Sequence, residues 1–302
     1  PEGAKLNNVE PDSTESTWTL GDPSLVLEIP EDFSMGPGTS EAIHYFVLNG
    51  VSQVERWVTA VDVRPGNASI VRSVHVYVDT TDQARRLDAA GEAPGFIMDE
   101  LEPGFPIEQI ISIWVAGQTT IQTDAGLAYY LPADSVLVAR IHYKKTWLDE
   151  GLTVEDRTAV GIHFSEESDL TPIKSLAVGV SGATDATSGM FVNYDQMIEE
   201  SIELLSLIPE IDSSPLFVQL EAILPTGEVT PIVRLAQPRP AWRTRHWLKE
   251  PMQLPAGTRL HVSAIYPATF AAENMSGLRF NMDVVPETQI NLARNNYVLV
   301  PR

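Results

Sequence analysis

The chain has 302 residues, of which 41 are acidic and 20 are basic, so its formal net charge is −21 at pH 7. Charge of that sign repels a phosphate backbone, which excludes nucleic acid as a partner. Cysteine is absent, which excludes disulfides, thiolate metal sites and cysteine nucleophiles. Hydrophobic residues make up 43% of the sequence, enough to fill ordinary cores. The length suits two domains of about 150 residues each.

The chain begins with a segment of unusual composition. Residues 1–20 are rich in Pro, Asn, Glu, Ser and Thr, and we predict an extended N-terminal arm there that can contact a partner. From Trp18 onward, short alternating apolar runs recur between Pro, Gly, Asn and Asp clusters, which is the pattern of strands and turns. These runs are Leu25–Ile29, Val71–Val78, Val136–Tyr143, Ala159–Phe164, Phe217–Leu224, Arg259–Tyr266 and Leu278–Val285. One segment, Tyr194–Leu207, has a partly helical pattern.

These elements predict the fold class. Many short strands separated by 22 prolines and 19 glycines are typical of β-sandwiches and jelly rolls. A polar stretch from Asp169 to Ser175 contains Pro172 and lies near the middle of the chain, so we place the domain boundary there. The prediction is an all-β protein with two tandem antiparallel jelly-roll β-sandwich domains, residues 21–171 and residues 172–302, after the arm.

Several separated motifs carry a resemblance to a known family. They are Trp57–Asn67 followed by the strand Ile70–Asp79, then Leu131–Val138 and Ile141–Trp147, and in the second half Leu224–Gly227, Trp242 and Glu250–Thr258. In order and spacing they resemble the two domains of bacterial relatives of the copper type II ascorbate-dependent monooxygenases, the peptidylglycine α-hydroxylating monooxygenase family. The similarity covers nearly all of the chain after about Leu20.

This resemblance implies two copper sites, one in each domain. At the first site, the family's adjacent histidine pair corresponds to Arg72 and Ser73, and its third histidine corresponds to His142. A guanidinium cannot coordinate copper and a serine hydroxyl is a poor ligand, so we expect the site to have lost its metal. The chain then has no catalytic residues and needs no cofactor. Copper would be the cofactor if the site has been rearranged.

At the second site, the family's two histidines correspond to Glu210 and Asp212, and its methionine corresponds to Met275 or Met282. Carboxylates suit calcium, magnesium or manganese better than copper. Glu210 and Asp212 would share one strand face and could hold such a cation. The alternative is that they are solvated surface acids.

The histidines of the first half offer another possible metal site. His75, His142 and His163 all lie on predicted strands, and if their faces converge they would form a three-histidine site for zinc or copper. Otherwise each histidine packs at a strand edge or makes a single hydrogen bond.

A basic segment stands out in this acidic chain. It contains four cationic residues and two tryptophans, residue types that are enriched at interface hot spots. We predict that it binds a protein partner through Arg239, Trp242, Arg243, Arg245, Trp247 and Lys249. The alternative is that the tryptophans belong to the core.

The expected function follows from the resemblance and from the lost ligands. We expect a non-catalytic accessory subunit, periplasmic or extracellular, that stabilises a membrane-bound respiratory or photosynthetic electron-transfer complex and has no transmembrane segment of its own. The arm and the basic segment would contact the protein partners. One alternative is an active copper or other metal-dependent monooxygenase with a rearranged site around His142. Another is a carbohydrate- or peptide-binding module, since jelly rolls commonly present ligands on a concave face.

Overall fold

The computed structural model describes residues 18–50, 53–91, 95–98, 109–181, 191–211, 214–239, 243–267 and 277–287. Within these ranges the structure is almost entirely β, apart from the helix α1 (Gln83–Ala89) and one 3₁₀ turn (Trp147–Asp149). No helix among the described residues is both long and apolar enough to cross a bilayer.

The strands of the first half are short and separated by turns. They are β1 (Leu25–Glu28), β2 (Phe33–Met35), β3 (Glu41–Leu48), β4 (Arg56–Arg64), β5 (Val71–Asp79), β6 (Gln109–Val115), β7 (Leu127–Leu131), β8 (Val136–Lys144), β9 (Val154–Asp156) and β10 (Ala159–Ser165). Apart from the small β2–β9 pair, they form two facing sheets with the orders β1-β10-β4-β7 and β3-β8-β5-β6.

The strands of the second half repeat this arrangement. They are β11 (Thr171–Ser181), β12 (Phe191–Met197), β13 (Ile202–Ile211), β14 (Phe217–Ile223), β15 (Val229–Ala236), β16 (His246–Leu254), β17 (Arg259–Ile265) and β18 (Gly277–Pro286). Their sheets have the orders β11-β18-β13-β16 and β12-β17-β14-β15. If the eight main strands of each half are numbered 1 to 8, both halves have the sheet orders 1-8-3-6 and 2-7-4-5, which is the jelly-roll arrangement. The predicted all-β fold with two tandem jelly rolls is therefore confirmed.

The two jelly rolls share one continuous sheet. Strand β11 pairs in parallel with β7 at its first residues, Thr171 to Ile173, and antiparallel with β18 from Lys174 to Ser181. The polar stretch that predicted a domain boundary is thus the start of a strand that belongs to both sheets. Apart from this short parallel pair, the strands pair antiparallel.

Each jelly roll has its own core. The first core contains alternate residues of β5 and β8, such as Val74, Val76 and Ile141, which are fully buried. The second core contains Leu220, Val262 and Phe280 and is also fully buried. Residues from the second half also enter the first: Leu205 and Val285 pack into the first core. Burial of this apolar surface is the main stabilising contribution, at roughly 25 cal/mol per Å².

All seven apolar runs coincide with strands: β1, β5, β8, β10, β14, β17 and β18. The partly helical prediction for Tyr194–Leu207 is wrong, because that segment contains the end of β12 and the start of β13. Every residue of β12 is paired with β17, and this cross-strand pairing outweighs the local helical pattern.

The predicted arm lies mostly outside the described residues, which begin at Trp18. Its last residues contact the first jelly roll. The Arg64 guanidinium lies 4.6 Å from the centre of the Trp18 ring, and the Thr19 amide donates to Asp62 Oδ2 at 2.5 Å. Residues 18 and 19 thus contact the body of this chain.

Candidate functional site

The junction between the jelly rolls is built around a buried ion pair. Arg245 Nε lies 2.8 Å from Asp283 Oδ2, and the two side chains are 8% and 1% exposed. Asp283 Oδ2 also accepts hydrogen bonds from the hydroxyls of Ser206 and Tyr129. The distance from the Tyr129 hydroxyl is 3.4 Å, and Tyr129 belongs to the first jelly roll. Burial raises the pKa of Asp283, and the adjacent guanidinium opposes that shift. The Asp283 carboxylate on β18 therefore has hydrogen-bond partners on β7 of the first jelly roll and on β13 of the second.

Arg245 extends the same connection into the first jelly roll. Its guanidinium donates to the carbonyl oxygen of Ile111 at 3.3 Å and to that of Ile110. It also lies 5.4 Å from the ring centre of Tyr129 and 5.7 Å from that of Trp247. These contacts hold the Arg245 guanidinium beside the rings of Tyr129 and Trp247.

A cavity of about 290 Å³ opens beside this guanidinium. Its walls combine apolar aromatic faces with hydroxyl and amide groups. They come from β4, β6, the loop after β6, Tyr129 and the segment that leads into β16. The lining residues are Thr59, Ala60, Val61, Ile111, Ser112, Ile113, Trp114, Gln118, Thr119, Thr120, Ile121, Thr123, Tyr129, Arg245 and Trp247. We call this the junction cavity. A few polar groups set among aromatic side chains are typical of small-molecule sites.

The loop over the cavity is anchored to the sheet below it. The Thr120 hydroxyl donates to Asp62 Oδ1 at 2.6 Å, and the Thr123 amide donates to the Thr59 carbonyl at 2.9 Å. Asp62 is 1% exposed and also accepts from the amide of Val63. The hydroxyl-bearing wall is therefore preformed.

A second buried polar group lies on β5 and β8. His75 and Arg140 are opposite each other across these strands and are 0% and 3% exposed. The His75 Nδ1 atom is 3.1 Å from the Tyr77 hydroxyl, while its Nε2 atom is buried without a hydrogen-bond partner. Burial, and then the positive charges of Arg140, Arg243 and Arg245, hold the pKa of His75 well below its ordinary value. The imidazole is neutral at physiological pH.

The positions implied for the first copper site do lie together. Ser73 is directly opposite His142 on the paired strands β5 and β8. His142 Nε2 is 2.7 Å from Glu41 Oε1, and Lys144 Nζ donates to the other oxygen of Glu41 at 2.9 Å. The lysine, and then the histidine, lower the pKa of Glu41. The Arg72 guanidinium donates to the Lys144 carbonyl at 2.8 Å. The side chains of His142 and Arg72 therefore both have hydrogen-bond partners within the protein.

The three predicted histidines do not form one cluster. His75 is on β5 and His142 is on the adjacent strand β8. His163 is on β10, where it is opposite Ala60 of β4, and β10 belongs to the other sheet of the sandwich. In the described part of the chain, no three His, Asp or Glu side chains are grouped as metal ligands would be.

The second copper position is split between two faces of a sheet. Glu210 is opposite Arg279 on β18, and Arg279 Nε donates to its Oε2 at 2.8 Å. Met282 is fully buried in the second core, whereas Glu210 lies on the other face of that sheet. The prediction that Glu210 is a solvated acid is therefore wrong, since it is 3% exposed and ion-paired. Asp212 and Met275 lie outside the described residues.

The basic segment is divided between interior and surface. Arg243 is 5% exposed, and Arg245 is held by Asp283, so neither guanidinium is presented to a partner and the prediction is corrected for both. Trp247 packs against the first core and lines the junction cavity. Arg239 and Lys249 are exposed. Trp242 lies outside the described residues.

Sequence reasoning missed Trp114 and the threonine-rich wall. Trp114 follows an apolar run on β6, and Gln118 to Thr123 reads as an ordinary polar turn. A signal was present in the unusual run Gln118-Thr119-Thr120-Ile121-Gln122-Thr123, which concentrates hydroxyl and amide groups. Its proximity to Trp247 depends on contacts between distant parts of the chain.

No family model and no curated protein matches this sequence. Solved structures with a similar arrangement include the major capsid protein P2 of bacteriophage PM2, at 8% identity over 81% of this chain and 96% of that one, with a TM-score of 0.24. The tandem CBM22-1–CBM22-2 domain of Xyn10C from Paenibacillus barcinonensis is 9% identical over 88% and 98%, with a TM-score of 0.18. The VP2 subviral particle of infectious bursal disease virus is 8% identical over 92% and 74%, with a TM-score of 0.20. Such distant likenesses carry no argument about function.

The buried neutral histidine gives a pH-dependent stability. In the unfolded chain His75 has a pKa of about 6.5, so it takes up a proton below that pH. The folded protein does not, because burial keeps its pKa low. The contribution of His75 to the free energy of unfolding is therefore fully present above about pH 6.5. It decreases as the pH falls below that value, by up to about 1.4 kcal/mol per pH unit.

We expect the variant His75→Gln to show a flatter decline in unfolding free energy than the original protein between about pH 6.5 and pH 5. Urea unfolding followed by tryptophan fluorescence at several pH values measures it. Parallel declines in the two proteins would contradict the assignment of a buried neutral imidazole.

Proposed function

We propose that this protein is a non-catalytic binding protein and that the junction cavity holds one unit of a polar, hydroxyl-rich ligand, of which a sugar is the simplest. The observation that carries the proposal is the composition of the cavity wall. Trp114 and Trp247 supply apolar faces, and four threonines line the same cavity: Thr59, Thr119, Thr120 and Thr123. Three of the four hydroxyls already donate within the protein, to the carbonyls of His163 and Leu127 and to Asp62, so they offer a ligand their lone pairs as acceptors. Sugars have apolar faces that pack on aromatic rings and hydroxyls that exchange hydrogen bonds with such groups.

The size of the cavity supports a small ligand. Its volume of about 290 Å³ is near the lower end of the range for ligand sites, roughly 300–1,000 Å³. One sugar ring, or the end of a longer chain, fits that space. The cavity therefore favours recognition of a terminal unit.

Charge and rigidity also support binding. Arg245 is already paired with Asp283, so its charge needs no anion from the ligand. The aromatic and hydroxyl walls are fixed before a ligand arrives, which lowers the entropic cost of binding. His142 is engaged by Glu41 and Glu210 by Arg279, which agrees with binding rather than metal chemistry.

Tryptophan fluorescence titration tests the proposal directly. The probes are glucose, galactose, xylose, N-acetylglucosamine and cellobiose. We expect at least one to change the emission with a Kd below about 10 mM. Trp114→Ala and Trp247→Ala should each weaken that binding at least about tenfold, because each removes an aromatic face. Thr119→Val, at an exposed position of the wall, should weaken it without affecting folding.

The matched control is Trp147→Ala, which removes a tryptophan that is 78% exposed and does not line the cavity. It should leave the affinity unchanged. If none of the probes binds, or if Trp114→Ala and Trp247→Ala bind as tightly as the control, the sugar proposal fails.

A second candidate function is the accessory subunit of a larger extracytoplasmic assembly, as the family resemblance implies. A specific feature favours it: Trp147, Leu148 and Leu152 are 78%, 64% and 55% exposed on one loop. Exposed tryptophan and leucine side chains placed together are typical of protein-binding surfaces. We call this the apolar loop.

The apolar loop is held in a fixed shape. The Thr146 hydroxyl and amide both donate to Asp149 Oδ2, at 2.6 Å and 3.0 Å. Lys145 is 9% exposed, and its ammonium donates to the carbonyls of Gly36 and Leu152, at 2.7 Å and 2.6 Å. A loop that is already ordered loses little entropy when it inserts into an apolar pocket of a partner protein.

For this candidate we expect the protein in extracts of its source cells to migrate as part of a complex, and the double variant Trp147→Ala/Leu148→Ala to migrate near the chain mass of 33.2 kDa. Native gel electrophoresis followed by immunodetection measures this. Trp114→Ala is the control and should remain in the complex. Migration of the unaltered protein near its chain mass would contradict the accessory role.

A further inference from the structure

The junction cavity is one end of a longer depression along the first jelly roll. A second opening, with a volume of about 540 Å³, shares the lining residues Thr59 and Thr123 with it. A third opening, of about 640 Å³, shares Ser165 and Glu167 with the second. Openings with common walls form a continuous path. We call the three together the sheet groove, in which the second is the middle opening and the third is the far opening.

The sheet groove follows the outward face of β4. Trp57 lines the far opening, Thr59 lines both the middle opening and the junction cavity, and Val58 between them is buried in the first core. Because successive side chains of a strand point to opposite faces, Trp57 and Thr59 project on the outward side. At about 3.3 Å per residue, Trp57 lies about 7 Å further along the strand than Thr59.

The far opening has aromatic side chains, as the junction cavity does. Trp57 and Phe164 line it. The ring centres of Trp57 and Tyr130 are 5.1 Å apart, and the Tyr130 hydroxyl donates to Glu55 Oε2 at 2.6 Å, so Trp57 packs against a ring that is itself anchored. The Arg56 guanidinium lies 5.8 Å from the centre of the Phe164 ring. Aromatic faces at both ends of the groove suit two separate rings of one ligand.

The middle opening supplies hydrogen-bonding side chains between the two aromatic ends. Gln122, Ser165 and Thr171 line it, and Gln122 is exposed. The wall is held by the backbone, since the Thr171 amide donates to the Gly126 carbonyl at 2.9 Å. A glutamine side chain both donates and accepts hydrogen bonds, which suits the hydroxyl groups and ring oxygens of a sugar.

From this arrangement we infer that the sheet groove binds a linear oligosaccharide of at least about three units, an inference that rests on the sugar-binding function proposed above. The terminal unit lies in the junction cavity, the next unit in the middle opening, and a further unit against Trp57. Such a chain brings an apolar ring face to each aromatic position and hydroxyls to the stretch between them. Because its units are linked, each added contact strengthens the binding of the whole chain.

Isothermal titration calorimetry with monosaccharides and their linear tetramers tests the inference. The pairs are glucose with cellotetraose, xylose with xylotetraose, galactose with galactotetraose, and N-acetylglucosamine with tetraacetylchitotetraose. For the sugar that binds, we expect the tetramer to bind at least about tenfold more tightly than the monomer.

Two variants locate the added affinity. Trp57→Ala should lose at least about tenfold in tetramer affinity and keep the monomer affinity, because Trp57 lines the far opening and not the junction cavity. Gln122→Ala, at an exposed position of the middle opening, should weaken the tetramer alone, by about fivefold for one lost hydrogen bond.

Trp147→Ala is the matched control, because it removes an exposed tryptophan that lines none of the three openings, and it should keep both affinities. The inference is overturned if the tetramer binds no more tightly than its monomer, or if Trp57→Ala binds the tetramer as tightly as the control. It is also overturned if Trp57→Ala loses monomer and tetramer affinity alike. In these cases monomer binding by the unaltered protein leaves the sugar-binding function standing. If neither monomers nor tetramers bind, that function fails and the inference fails with it.

Discussion

The buried contact between Arg245 and Asp283 is the constraint on which the junction depends. An unpaired charge in such a position would destabilise the fold strongly, so the guanidinium and the carboxylate must be positioned together. Because the same guanidinium also bonds to the carbonyls of Ile110 and Ile111, it links the second jelly roll to the edge of the first. Strand β11 adds a backbone connection, since it pairs with β7 and with β18. We therefore expect the two jelly rolls to unfold as one unit.

The junction cavity is a consequence of that arrangement. Its walls come from β4, β6 and the loop after β6 in the first jelly roll, and from Arg245 and Trp247 in the second. The guanidinium that joins the two halves is therefore also part of the cavity wall. Ligand sites occur preferentially at such domain interfaces.

The sequence was informative where apolar residues recur at every second position. Runs such as Val71–Val78 and Leu278–Val285 have this alternation, and both are strands in the structure, although the polar side chains of these strands are largely buried as well. The local pattern failed at Tyr194–Leu207, where pairing with β17 and β18 determines the conformation. The junction could not be predicted from the sequence. Tertiary contacts decide whether Arg245 faces solvent or pairs with Asp283, which lies 38 positions further along the chain.

The residues implied by the family resemblance illustrate the same limit. The resemblance placed Ser73 near His142, and the two are indeed cross-strand neighbours. It could not indicate that Glu41 contacts that histidine, or that Arg279 contacts Glu210. Those partners lie 101 and 69 positions away along the chain, and their side chains meet because β3 pairs with β8 and β13 pairs with β18.

Calorimetric unfolding of the protein and of Asp283→Ala is the most direct test of this account, with Asp195→Ala as the control for loss of an exposed ion pair. We expect one cooperative transition for the unaltered chain, because the jelly rolls share a sheet and a buried ion pair. Asp283→Ala should lose about 3–5 kcal/mol and resolve into two transitions, whereas Asp195→Ala should lose no more than about 1 kcal/mol. Two transitions in the unaltered chain, or an Asp283→Ala protein as stable as the control, would contradict it.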